Sequence, residues 1–360
     1  MKKLHVGLKE NSYDIIIGTN FTSEFPKYIS EIYKGKKLFI ITDSNIEKLY
    51  ASKIPTFFEG YEYTLHIIEA GEKNKHLETV KDIYTSMIED GVTRDDLVVA
   101  FGGGVVGDIA GFVAATYLRG VKFIQIPTTV VSQVDSSVGG KVGVDLPAGK
   151  NLVGAFYQPK LVLIDIAFLR TLETRYFFDG FAEIVKYGCI YDKELFSKLE
   201  NIVKEDHLRK NLMDNMEDIV YRSCEIKKEV VEKDEKESNL RMILNFGHTI
   251  GHAIEQYYNF EKHSHGEAVS IGMIDIVNIG EKLGITKKDE IIRIQKLLER
   301  LKLPITDDYP VDKITHIMKR DKKSNNGGIN FIFLKEIGIV EIIKMSSEEV
   351  MESKNKEKVN

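Results

Sequence analysis

The stretch from residue 95 to residue 120, DDLVVAFGGGVVGDIAGFVAATYLRG, constrains the fold more than any other part of this chain. Leu97–Phe101 is an unbroken apolar run of strand length, which suits a strand buried on both faces. A glycine turn follows, then a segment of helical length. Gly102, Gly103, Gly104 and Gly107 free the backbone to approach a ligand. The helix that follows offers unpaired N–H groups and a positive dipole end to a pyrophosphate. A tight βα turn alone would look the same, and GGGVVGD does not have the spacing of the GxGxxG fingerprint.

A strand buried on both faces needs neighbours of its own kind. Leu38–Ile41, Phe123–Ile126 and Leu161–Ile164 are such runs, and helical patterns such as KHLETVKDIYTSMIEDG separate some of them. The alternation predicts an α/β domain over residues 1–170, with a mostly parallel sheet and ligands at the carboxyl ends of its strands. From about Thr171 to Leu303 the apolar residues recur at helical spacing, and Pro304 is a natural stop. The second domain, 171–345, is therefore expected to be mainly helical, with NGGINFIFLKEIGIVEIIKM as a small hairpin or strand pair. Residues 346–360 read as a charged tail, frayed over its last ten residues, MESKNKEKVN.

The net charge is −5, so no global field draws in nucleic acid. An anionic ligand must be held by local cations. Two cysteines, Cys189 and Cys224, without a CxxC pair argue against a disulfide scaffold or a thiolate zinc site. The opening MKKLHVGLKENSYD lacks an apolar stretch of signal-peptide length, and nothing approaches a membrane span. The expectation is a soluble, cytoplasmic protein.

Two further segments carry chemistry. IPTTVVSQVDSSVGGKVGVDLPAGKN is dense in glycine and small polar residues and includes Asp135, Lys141, Lys150 and Asn151. It reads as a binding loop, since long loops in compact domains are usually functional. Four of the nine histidines, His248, His252, His263 and His265, fall within eighteen residues. His248 and His252 are i and i+4 and share a helical face. HTIGH has the histidine spacing of HExxH, but Thr249 stands where a protease would carry its base. A catalytic metal commonly takes two histidines and a carboxylate. GFAEIVKYG offers Glu183 on an otherwise apolar helix with Lys186 one turn on, a costly pair unless used or paired.

Taken in order, GEKNK, GGGVVGD, IPTT, QVDSSVGGKVGVD, GKN, GFAEIVKYG, LRMILNFGHTIGHAIE and HGEAVSIGM resemble the sugar phosphate cyclases, and within them the 3-dehydroquinate synthase family. The resemblance runs from about Asp43 to about Lys323. It implies the dehydroquinate synthase-like fold: an α/β nucleotide-binding domain followed by an all-helical, metal-binding one. It implies NAD contacts at Asp43, Glu72, Lys75 and Thr171, at Gly103, Gly104, Val105 and Asp108, and at Thr128 and Thr129. Zinc or cobalt is implied on Glu183, His248 and His265, the HGEAV context favouring His265 over His263. Lys141 and Lys150 are implied for both cofactor and substrate. The remaining implied substrate contacts are Arg119, Asp135, Asn151, Lys186, Lys227, Arg241, Asn245, His252 and one of Lys322 or Lys323. Arg119 would serve a neighbouring subunit, which implies a homodimer.

The family's substrate, 3-deoxy-D-arabino-heptulosonate 7-phosphate, carries a phosphate and a carboxylate, which suits this set of cations. The implied reaction is transient oxidation by NAD, elimination of phosphate, reduction and an intramolecular aldol closure. The rival readings are a sister cyclase with another sugar phosphate, a metal-dependent alcohol dehydrogenase on the same fold, and a non-catalytic nucleotide binder.

Overall fold

The computed structural model describes residues 1–147, 149–321 and 328–355. The strands of the first half are β1 (Lys2–Val6), β2 (Tyr13–Gly18), β3 (Lys37–Asp43), β4 (Glu62–Ile68), β5 (Leu97–Gly102), β6 (Lys122–Pro127), β7 (Lys141–Leu146), β8 (Gly149–Phe156) and β9 (Leu161–Asp165). Seven of them form one sheet in the order β1-β2-β9-β6-β5-β3-β4. Its pairs are parallel except β1 with β2. Side chains alternate between two apolar layers: Leu97, Val99 and Phe101 join one, Val98 and Ala100 the other. The fully buried β5 therefore lies between two cores, as its continuous apolar run requires.

The strand order also locates a crevice. From β3 the chain crosses to β4 on one side, and from β5 to β6 on the other. The carboxyl ends of β3 and β5 thus flank a topological switch point, the usual ligand position in open α/β sheets. Asp43 ends β3, and Gly103 follows β5 as the cap of helix Gly104–Thr116.

Gly107 packs closely: a Cβ there would lie 2.9 Å from Gln125 Oε1. One local expectation needs correction. The glycine-rich polar stretch after β6 is not a loop. It folds into a π-helical turn, Ser132–Ser136, and an antiparallel hairpin of β7 and β8. The hairpin packs on the glycine-turn helix, where a Cβ on Gly111 would meet Val142 Cγ1 at 2.3 Å.

The chain divides into two units, Met1–Glu173 with Lys227–Glu235, and Thr174–Ile226 with Lys236–Asn360. The division differs from the 170/171 boundary read in the sequence. Thr171 belongs to the first unit, which also takes the end of helix Met216–Lys233. Contacts that hold that segment include Lys227 Nζ at 2.9 Å from Asp135 Oδ1, Gly7 N–H donating to Glu232, and Gln158 Nε2 donating to Glu235.

The second unit is mainly helical, but not wholly so. Strands β10 (Ile329–Glu336) and β11 (Ile339–Met345) pair antiparallel, as the sequence of that stretch suggested. Helix Phe181–Ile190 is buried along its whole length, and helix His265–Lys282 is buried at most positions. The chain does not fray from Met351 onward as expected, since helix runs on to Asn355. Ser347–Asn355 is a helix that buries Val350 and Met351, and Lys354 Nζ lies 2.8 Å from Asp275 Oδ1. No helix among the described residues is long and apolar enough to cross a membrane.

Candidate metal centre and nucleotide site

In the first unit a charged network forms beside the glycine turn. Lys75 is almost fully buried, and its Nζ donates to Asp108 Oδ2 and to Asn151 Oδ1, each at 2.6 Å. Lys150 Nζ lies 3.2 Å from Glu72, and Glu72 lies 3.9 Å from Lys75. Burial alone would lower the Lys75 pKa, but Asp108 and Glu72 outweigh it and hold the ammonium above its ordinary value. The network thus brings together five expected residues from three separate segments: GEKNK, the glycine-turn helix and GKN.

Other expected residues of this unit have structural partners. Asp43 caps the next helix, accepting from Asn45 N–H at 2.9 Å and Ile46 N–H at 3.0 Å. Gly103 packs on Thr129: a Cβ there would lie 3.1 Å from Thr129 Cγ2. Gly104 and Val105 are half-buried at the start of the same helix. Thr128 is buried and donates its N–H to Gly102 O, while the Thr171 hydroxyl meets Tyr50 at 2.7 Å. Lys227 Nζ donates to Asp135 O at 2.8 Å as well as pairing with its carboxylate. Lys141 is exposed at the start of β7. Arg119 is exposed beyond the glycine-turn helix, with φ of 67° after Leu118 at 48°.

In the second unit three ligand-type groups converge. Glu183 is fully buried on helix Phe181–Ile190. His248 Nε2 and His265 Nε2 each lie 3.1 Å from Glu183 Oε1, and Lys186 Nζ contacts Glu183 Oε2. Burial alone would raise the Glu183 pKa, but Lys186 and His248 outweigh it and hold the carboxyl well below its ordinary range. His248 Nδ1 faces Phe246 O at 3.0 Å, which leaves Nε2 as the ligand atom. One ligand atom from each of Glu183, His248 and His265 lies within 4.8 Å of the other two. A largely buried N, N, O set of this kind fits a zinc-like ion, whose fourth position would be left to an outside ligand. The His252 ring centroid is 5.3 Å from that of His248 and 5.9 Å from that of His265, and His252 is exposed.

His263 belongs elsewhere. Its Nε2 contacts the buried Asp307 carboxylate, which Lys262 and Tyr258 also hold. His265 is placed by the start of its own helix. Ser264 and Glu267 form a capping box, the Ser264 hydroxyl donates to Asp179 at 2.6 Å, and Arg175 grips Glu267 with two nitrogens. Arg241 and Asn245 lie on a 3-10 turn, Leu240–Asn245, and not on the helix that carries His248. Gly247, with φ of 77°, separates the two. Lys322 and Lys323 lie outside the described residues.

Family models for the 3-dehydroquinate synthase N-terminal and C-terminal domains match residues 65–179 and 180–324. The chain belongs to the 3-dehydroquinate synthase family. A 3-dehydroquinate synthase of Clostridium acetobutylicum is 48% identical, covering 97% of this chain and 98% of its own length. One from Clostridium perfringens strain 13 is 50% identical, over 94% of this chain and 96% of its own. Among solved structures, ValA, a 2-epi-5-epi-valiolone synthase from Streptomyces hygroscopicus with NAD+ and Zn2+ bound, superposes with a TM-score of 0.88. It is 27% identical and covers 97% of each chain.

Against this 3-dehydroquinate synthase frame, reading the sequence missed Asp145, Asp179 and Glu255. Asp145 Oδ1 accepts Asn151 N–H at 2.7 Å, fixing that residue's left-handed backbone at φ 53°. Asp179 and the S-x-x-E pattern of Ser264–Glu267 together mark a helix start, and that pattern was visible in the sequence. Glu255 lay seven residues after His248, on the same helical face.

Proposed function

We propose that Glu183, His248 and His265 hold a divalent metal, zinc or cobalt, and that the glycine turn with Glu72, Lys75 and Asp108 holds NAD+. On this reading the chain carries out its family's reaction, converting 3-deoxy-D-arabino-heptulosonate 7-phosphate to 3-dehydroquinate and phosphate. The observation that carries it is the meeting of two histidine Nε2 atoms on one buried carboxylate oxygen, each at 3.1 Å. When bound, the two groups supply reversible hydride acceptance from the carbon that carries a ring hydroxyl and Lewis acidity toward that hydroxyl.

The protein's own groups bind, orient and move protons. Lys186, buried against Glu183, keeps that carboxylate ionised and therefore able to act as a ligand. His252 is exposed beside the two ligand histidines and takes up the proton that the substrate hydroxyl loses. Lys141, Lys150 and Asn151 bind the phosphate end, with Lys322 added from the family pattern. Arg241 and Lys227 bind the carboxylate, for which a guanidinium offers a planar fork. Asp135, held by Lys227, and Asn245 orient hydroxyl groups. Arg119 serves the site of a second copy in a cytoplasmic homodimer. Its exposure and its left-handed turn, pinned by Arg94 Nε donating to Leu118 O at 2.8 Å, support that role.

The test is phosphate release from the heptulosonate phosphate. NAD+ is expected to be needed only in catalytic amounts, with no build-up of NADH. A chelator should abolish turnover, and Zn2+ or Co2+ should restore it. Stoichiometric NADH would put a dehydrogenase in place of this reading. Equally fast turnover of sedoheptulose 7-phosphate would put a sister cyclase there.

A further inference from the structure

We infer that Glu255 is a positioning residue of the metal centre, one that fixes the tautomer and direction of His265 so that Nε2 faces the ligand set. The inference rests on the reading of Glu183, His248 and His265 as that centre. Glu255 Oε2 lies 3.5 Å from His265 Nδ1, while His265 Nε2 lies 3.1 Å from Glu183 Oε1. Both ring nitrogens therefore face a fully or almost fully buried carboxylate, Nε2 at hydrogen-bond distance from Glu183 and Nδ1 at ion-pair distance from Glu255. His248 repeats the pattern with a backbone carbonyl at Nδ1. With a metal on Nε2, each ring would keep its remaining proton on Nδ1, directed at its anchor, as metal ligands commonly do.

The two anchors differ for a physical reason. His265 is the first residue of helix His265–Lys282, where the positive end of the dipole draws electron density from the ring. A carboxylate at Nδ1 offsets that pull and keeps Nε2 basic, which a neutral carbonyl does less well. Helical geometry puts Glu255 in place. It lies seven residues after His248 and three after His252, so all three share one face of helix His248–Tyr257. One helix face therefore carries a ligand, the proton-accepting His252 and the carboxylate that orients the ligand from the next helix.

The same atoms allow another arrangement. Ligand atoms of His252, Glu255 and His265 also lie within 4.8 Å of one another. An ion held there beside one on Glu183 would make His265 a bridge coordinated through both ring nitrogens and would raise the metal content to two ions. The orienting role needs only the neutral ring.

The experiment compares the full-length wild type with Glu255→Gln and Glu255→Ala. It measures the zinc dissociation constant by competition with a chromophoric chelator, the d–d spectrum of the Co2+ form, and the melting temperature of the metal-free protein. Zinc binding is expected to weaken at least about tenfold in Glu255→Ala and less in Glu255→Gln, the lower end of the usual effect of such partners. The Co2+ spectrum should shift in both. Zinc affinities within about twofold of wild type in both variants would overturn the inference, whatever the melting temperatures do. So would a second zinc equivalent in the wild type that the variants lose. If neither variant folds, proton NMR of the wild-type Co2+ form decides. Two exchangeable, strongly shifted ring N–H signals are expected, and a single one would overturn the inference. A wild type that binds no divalent ion would remove the metal-site reading along with it.

Discussion

Arg241 is among the largest fully buried side chains of the chain, at 1% exposure. A guanidinium stays charged in a protein interior, so its position commits the fold to an anion nearby. On the functional reading the substrate carboxylate is among the anions it meets. Arg241→Ala is expected to lose about 2–3 kcal/mol of transition-state binding, the scale of a charged hydrogen-bonded group. The measurement is kcat/KM with zinc content held equal, and an unchanged kcat/KM would count against the assignment. Residues differ in how plainly a sequence shows them. Glu183 and Lys186 stand out because a charged pair on an apolar helix demands a partner. Asp145 and Glu255 do not, because each is one carboxylate among many and its purpose depends on a contact with another segment. His263 and His265 could not be separated by spacing. Only the buried Asp307 takes His263 away.

Among the elements, the start of helix His265–Lys282 has little room to change. A Cβ on Gly266 would lie 1.9 Å from Asp179 O, and backbone cannot move aside as a flexible side chain can. Gly266→Ala should therefore shift the helix start and carry His265 out of reach of Glu183. The expected cost is about 1–3 kcal/mol of stability, as for other overpacked sites, together with loss of zinc. Melting temperature and metal content check it, and full zinc retention would show that the contact can relax. Strands were legible where burial is uniform, as in β5, because a continuous apolar run has few other uses. The hairpin of β7 and β8 was not, since its glycines and polar residues look like loop. Its order comes from packing on Gly111. The last helix was hidden for a similar reason. Charged residues surround Val350 and Met351, and the anchoring contact of Lys354 with Asp275 spans distant segments.

For the molecule as a whole, the informative element is helix Met216–Lys233, which supplies residues to both units. Its helical periodicity runs unbroken through residues 226 and 227, so nothing in the sequence marks the change of unit. Breaking it should be felt in both. Ser223 is fully buried in its middle, and Ser223→Pro should cost about 3 kcal/mol or more as an interior helix proline. Amide exchange is expected to quicken in β5 and in helix Phe181–Ile190 alike, and a change confined to one of them would contradict this. The same arrangement sets an order of events during synthesis. The seven strands of the sheet leave the ribosome early, but Lys227–Glu235 follows only after residues 174–226 have been made. Until then Gly7, Gln158 and Asp135 lack their partners from that segment. The nascent chain therefore begins its first unit early and completes it only after the first segment of its second has been translated, an interval in which a chaperone could act.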